Sequence, residues 1–146
     1  MKLLKLFLAL GAITWIAAAP ALILSWDSAL AAMQSLGAGD LPHDKMLDYW
    51  LRMASGAFVL IGCIYLLLLL QPKRFRDFIP WMGGFSLMEG LVLLAHGTRL
   101  KLGPWPFYGD LAACMLAGIG ILVSVRYSHA ELYSGIVEPV ARANDR

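Results

Sequence analysis

The sequence predicts an all-α protein: a single domain over residues 1–146 that forms a four-helix transmembrane bundle with both termini cytoplasmic. Three observations predict it. Hydrophobic residues make up 60% of the chain and charged residues 15%, against roughly 45–50% and about 25% in soluble domains. Two uncharged runs, Leu6–Trp26 and Met53–Gln71, are 21 and 19 residues long. At ~1.5 Å rise per residue, each crosses a hydrocarbon layer of about 30 Å. Finally, eight of the 12 basic residues fall on one side of those spans, which orients the chain by the positive-inside bias. The composition excludes a disordered chain, while two Cys and a net charge of +2 exclude a disulfide scaffold and a nucleic-acid partner.

The first span covers residues 6–26. Its opening, with Lys2 and Lys5, is like a signal peptide, but the apolar stretch exceeds about 7–15 residues and Pro20 spoils a cut after Ala19. It reads as an anchor. Pro20 also frees the Ile16 carbonyl and predicts a kink. The second span, 50–71, ends in the run Leu66–Leu70. A short turn, Pro72–Arg76, then makes spans two and three antiparallel neighbours. The third, 78–98, holds Pro80 in its first turn, where proline costs little. The fourth, 107–127, has an uncharged centre of 15 residues, Leu111–Val125. The outer loop, 27–46, predicts a short helix over 28–36 ended by Gly37 and Gly39. The tail, 128–146, mixes charges of both signs and reads as solvated cytoplasmic chain. Trp26, Tyr49, Trp50, Trp105 and Tyr108 fall at the outer interface, and Trp81 and Tyr127 at the inner one, where aromatic belts form.

Lipid tails are as apolar as Leu, so helices in lipid associate through close packing and interhelical hydrogen bonds. Small residues mark where backbones approach. Gly56, Gly62, Gly90, Ala113, Ala117, Gly118 and Gly120 read as the helix-packing positions.

Glu89 is the most informative residue. It lies near mid-depth of span three, whose eight strongly apolar residues supply roughly −2.4 to −4.8 kcal/mol of insertion energy. A central acid takes back about 3 kcal/mol. The carboxyl therefore faces protein or water. Met82, Ser86, Leu93 and His96 share its helical face, with His96 ~10 Å nearer the outer surface. Asp48 and Arg52 form an acid-first i,i+4 pair at the outer end of span two. Asp110 comes to that level from span four, and Thr14 and Trp15 of span one are placed to donate to Glu89. These eight residues (Glu89, His96, Arg52, Asp48, Asp110, Ser86, Thr14 and Trp15) form one expected polar cluster. It reads as polar glue between helices, as a pocket for a small amphipathic ligand, or as a proton or ion path through Glu89 and His96.

No catalytic residue and no metal site is predicted, since His43, His96 and His129 are scattered and no H-x-x-x-H pair, phosphate loop or CxxC occurs. His43 with Asp40 and Asp44 reads as a solvated turn, and Cys63 and Cys114 as packing residues. No cofactor is required, although the pocket reading admits a bound lipid or quinone.

The stretch Arg52–Gly56, then Gly62, the turn Pro72–Arg76, Glu89-Gly90 and His96-Gly97 resembles small bacterial four-helix membrane proteins of the DoxX-like kind. The likeness covers spans two to four. It implies the four-helix architecture and the bacterial inner membrane, and some members of that group are subunits of quinone-linked oxidoreductase complexes. The expected role is a non-enzymatic accessory or scaffold subunit, with membrane lipids and other membrane subunits or a second copy as partners. The alternative is a binding protein for a lipid, quinone or other hydrophobic molecule in an outer-leaflet pocket, using Glu89, His96 and Arg52.

Overall fold

A computed structural model describes residues 1–133, and within them every regular element is a helix. The first span is broken rather than bent. α1 (Lys2–Ile16) stops ahead of Pro20, and α2 (Pro20–Ile23) restarts after a turn. The Ile16 carbonyl left by the proline accepts the Ala19 N–H at 2.8 Å, so the break leaves that group satisfied. Trp26 belongs to the next helix, because Ser25 Oγ caps α3 (Trp26–Ser35) by accepting the Ser28 N–H at 3.3 Å. Gly37, at φ 99°, closes α3 with bonds from its own N–H to Gln34 O and from Ala38 N–H to Met33 O. That is a Schellman end, for which glycine is the cheapest residue.

α4 (Lys45–Leu70) starts earlier than the expected 50 because Asp44 Oδ1 accepts the Met46 and Leu47 N–H groups at 2.8 and 3.1 Å. The outer loop is therefore mostly helix, and its non-helical part is 36–44. α5 (Ile79–Leu100) carries Pro80 in its first turn and ends at Lys101, which takes left-handed φ 52°. α6 (Pro104–Tyr127) contains one non-helical residue, Trp105. α7 (His129–Tyr133) follows.

Among the described residues, three stretches are long and apolar enough to cross a membrane: α1 with α2 as Lys2–Ile23, then α4, then α6. The chain is thus a multi-pass membrane protein. α5, at 22 residues, matches them in length but carries Glu89, His96 and Arg99.

The helices pack in the order α4–α1–α6–α5. Spans two and three are accordingly not packed neighbours, contrary to what their short connection led us to expect. Residues that let backbones touch decide the pairing instead. On α1, Gly11 lies under the Tyr65 ring of α4, where a Cβ would come within 2.7 Å of ring carbon, and Gly62 of α4 abuts the Ile16 backbone. Gly120 of α6 takes the Phe7 ring of α1. Between α5 and α6, Gly90 meets Met115, Gly118 sits 2.9 Å (as a built Cβ) from the Gly83 carbonyl, and Gly97 takes the Phe107 ring. Gly62, Gly90, Gly118 and Gly120 thus lie in helix contacts. Ala117 is buried and Ala113 half-buried on α6. Gly56 makes only an ordinary contact with Leu22. Gly11, Gly83 and Gly97 complete the set.

The start of the tail also departs from expectation. Ser128 and Leu132 are buried, the Tyr133 hydroxyl donates to Asp77 Oδ1 at 2.8 Å, and the Arg76 guanidinium lies 4.5 Å over the Tyr133 ring. The Asp77 carboxylate that accepts this bond pushes the Tyr133 phenol pKa up. These contacts dock α7 on the α4–α5 connection, so residues 128–133 are not free chain. The rest of the expected tail, 134–146, lies outside the described residues. The Met1 amino group donates to Ser128 Oγ and pairs with Glu131, each at 2.9 Å, so both ends of the described chain share one end of the packed helices.

Alanine at two glycines should act with opposite sign. Gly118→Ala drives a methyl against a backbone carbonyl, and overpacking of this kind costs about 1–3 kcal/mol. Gly84 has open space where its Cβ would stand, so Gly84→Ala gains helix propensity worth up to ~1 kcal/mol. Thermal unfolding of both variants in detergent, followed by circular dichroism, checks the two signs.

Candidate functional site

Tyr65 divides the molecule into a sealed half and an open half. It is 1% exposed, and its hydroxyl donates to the Met82 carbonyl at 3.1 Å and shares a short hydrogen bond with Ser86 Oγ. Met82 and Ser86 are buried. One turn on, the same stripe of α5 emerges: Glu89 and Leu93 are half-buried, and His96 is exposed. Glu89 makes no hydrogen bond or ion pair among the described residues. A carboxyl at the middle of a long apolar helix, half withdrawn from solvent and with no partner among the described residues, requires one from elsewhere or water.

The open half of the stripe leads into a groove of about 550 Å³ beyond Glu89. Leu93, His96 and Leu100 of α5, Phe107 and Asp110 of α6, and Met33 at the end of α3 are among its walls. The surface is apolar except for His96 and Asp110, the arrangement usual for sites that hold a hydrophobic molecule and orient it by few polar groups. α3 reaches this place because the outer connection is helical and is tied down at three points. Gln34 Nε2 donates to Asp40 Oδ1 at 2.9 Å, Asp44 caps α4, and His43 stacks on Trp26 at 5.2 Å. The polar residues of this connection therefore serve its fold. Among the described residues, no three His, Cys, Asp or Glu side chains gather as a metal ion would require.

The structure separates the expected polar cluster into parts. Thr14 Oγ1 donates to the Leu10 carbonyl of its own helix at 2.9 Å, and the Trp15 ring meets Phe58 of α4 in a tilted contact, centroids 5.2 Å apart. Neither donates to Glu89. Their depth was read from the sequence; their azimuth, fixed by the α1–α4 pairing, was not. Asp48 and Arg52 are paired at 2.9 Å as their spacing predicts, but Arg52 Nη1 also donates to the carbonyls of Ala21 and Leu24, at 2.7 and 2.5 Å. Arg52 caps the broken end of α2, complementing the negative end of that turn. It lines neither the groove nor the Glu89 stripe. Ser86 is committed to Tyr65. His96 and Asp110 alone, of the eight, share the groove.

Sequence reasoning passed over Tyr65 as a closing element and Phe107 and Met33 as groove walls. The proline-rich turn before Phe107 marked a sharp entry into α6, but nothing local pointed to the approach of α3.

Replacing Arg52 tests its structural role. Arg52→Ala removes three charge-assisted bonds and leaves two carbonyls without a donor, at a cost of about 2–3 kcal/mol. Arg52→Lys should recover only part of that, since an ammonium cannot reproduce the guanidinium fork. Hydrogen exchange over residues 17–25 should rise in both variants, and most in Arg52→Ala.

Set against known proteins, the chain matches no family model, no curated protein and no solved structure.

Proposed function

We propose that this protein is a non-enzymatic accessory subunit of a larger membrane assembly, held in the bacterial inner membrane by four spans with α5 as the third. Both termini are cytoplasmic in this reading. The excess of basic residues beside Met1 and along the α4–α5 connection supports that orientation, as does the shared position of Met1 and Glu131. The single observation that carries the role is Glu89. α5 packs closely on α6, while its outer face presents exposed Trp81, Phe85, Met88 and Val92 beside an open Gly84. Apolar residues there suit lipid as well as protein. The unpartnered carboxyl does not suit lipid, and a donor on a neighbouring subunit satisfies it at the least cost.

The groove favours a second reading, a binding site for a lipid, a quinone or a similar hydrophobic molecule. Its volume and its two polar groups, His96 and Asp110, support this use. A proton path through Glu89 and His96 gains no such support, because the stripe below Glu89 is closed by Ser86, Tyr65 and Met82.

Native mass spectrometry of the protein released from nanodiscs distinguishes the readings by the mass that accompanies it. For an accessory subunit, wild type carries a subunit-sized partner or a second copy. Glu89→Gln retains it, while Glu89→Leu weakens the association by about tenfold, as loss of one interhelical hydrogen bond in lipid would. For a ligand-binding protein the added mass is small, and His96→Ala or Asp110→Asn removes it. A bare monomer from wild type overturns both.

A further inference from the structure

At the end opposite the groove, a cleft of about 510 Å³ opens between the start of α1 and the connection from α4 to α5. Lys5, Lys73 and Arg74 line it together with Met1, Leu70, Gln71 and Pro72, and among the described residues no carboxylate does. Two other cations at this end, Arg76 and the Met1 amine, are already engaged. Arg76 lies 3.7 Å from Asp77 and over the Tyr133 ring, and the Met1 amino group meets Glu131. Lys5 and Lys73, by contrast, have no hydrogen bond or ion pair among the described residues. Arg74 is oriented but not neutralised. Its Nη1 donates to Gln71 Oε1 at 3.3 Å and its guanidinium stands 5.4 Å from the Phe75 ring centre, which leaves further donors free. Three exposed cations from two chain segments thus line one concavity, and among the described residues none of them is paired with a carboxylate. An anion bound between them would lower their mutual repulsion beyond what solvent screening does.

We propose that this cleft binds the phosphate of an anionic phospholipid headgroup. Arg74 offers the planar fork that suits phosphate oxygens, and the lysines add point charge. A phosphate is the shared chemistry of lipid headgroups and soluble anions; the wall decides between them. Leu70 is 68% exposed and ends a run in which Leu66 and Leu67 are exposed as well. The cleft therefore continues along apolar α4, where an acyl chain lies and a free phosphate gains nothing. Basic pockets between spans at a membrane surface hold lipid headgroups in this manner. Nearby carboxylates do not compete, since Asp77 holds Tyr133 and Glu131 holds the Met1 amine.

The test uses the full chain in nanodiscs of mixed phosphatidylglycerol and phosphatidylcholine, with the lipid retained after gentle release read by native mass spectrometry. Wild type should retain phosphatidylglycerol in preference to phosphatidylcholine. The triple variant Lys5→Gln, Lys73→Gln, Arg74→Gln should lower that retention by about tenfold or more, given the contribution of each basic residue at a membrane surface. Lys5→Arg with Lys73→Arg should keep it, and Lys45→Gln with Lys101→Gln, outside the cleft, should leave it unchanged. Equal retention of both lipids, or a triple variant that folds with wild-type thermal stability and still keeps its phosphatidylglycerol, would overturn the proposal. So would displacement of the lipid by inorganic phosphate, which would assign the cleft to a soluble anion.

Discussion

An aromatic ring laid on a bare glycine backbone holds each pair of packed helices together. Tyr65 lies on Gly11 between α4 and α1, Phe7 on Gly120 between α1 and α6, and Phe107 on Gly97 between α6 and α5. Each contact does two things that lipid cannot. It brings a broad, rigid ring against peptide groups at van der Waals distance, and it denies that surface to acyl chains. Because lipid solvates an isolated apolar helix about as well as another helix does, this shape match and the dispersion it yields select the partner. The order α4–α1–α6–α5 follows from where the rings and glycines stand.

That logic explains why the short turn between α4 and α5 does not make them neighbours. A connection of a few residues limits how far apart two helix ends can be, but it does not supply a face for them to share. α4 has Gly62 and Tyr65 turned to α1, and α5 has Gly83, Gly90 and Gly97 turned to α6. The hydrogen bonds between them run through the Tyr65 hydroxyl, and Leu68, Ile79 and Met82 belong to the same buried cluster as Tyr65. The length and apolarity of the helices were legible in the sequence, as were the end of α3 at Gly37, the small residues of α6 and a disturbance at Pro20, read there as a kink where the structure has a break. Each is a local property of chain chemistry. The pairing was not legible, because a glycine on a helix announces that something approaches without saying which ring it is.

The same limit explains the fate of the expected polar cluster. Counting residues along a span gives the height of a side chain in the membrane, which set Thr14 and Trp15 level with Glu89 and put Arg52 and Asp110 nearer the outer surface with His96. Azimuth separates them. Thr14 turns its hydroxyl back on Leu10, Trp15 meets Phe58, and Arg52 turns to the open end of α2. Arg52 is informative beyond its own position, because Pro20 created the need it fills. A proline break exposes carbonyls, carbonyls in an apolar setting require donors, and a guanidinium on the adjacent helix supplies several at once.

Glu89 stands apart because no such local demand absorbs it. Just below it, Ser86 is satisfied by a tyrosine that is itself locked between three helices. Just above it, the stripe opens toward a groove. Had the carboxyl served only to join helices of this chain, a donor of α4 would be expected where Tyr65 already reaches α5, one turn lower. Tyr65 instead spends its hydroxyl on Met82 and Ser86, and the acid is left at the boundary between sealed and open halves. In the proposed four-span arrangement, α5 carries such a group against an energetic penalty. Water, a ligand or a donor on a neighbouring subunit in the open half would relieve that penalty, which is why the proposed role rests on Glu89 rather than on the groups already satisfied within the helices.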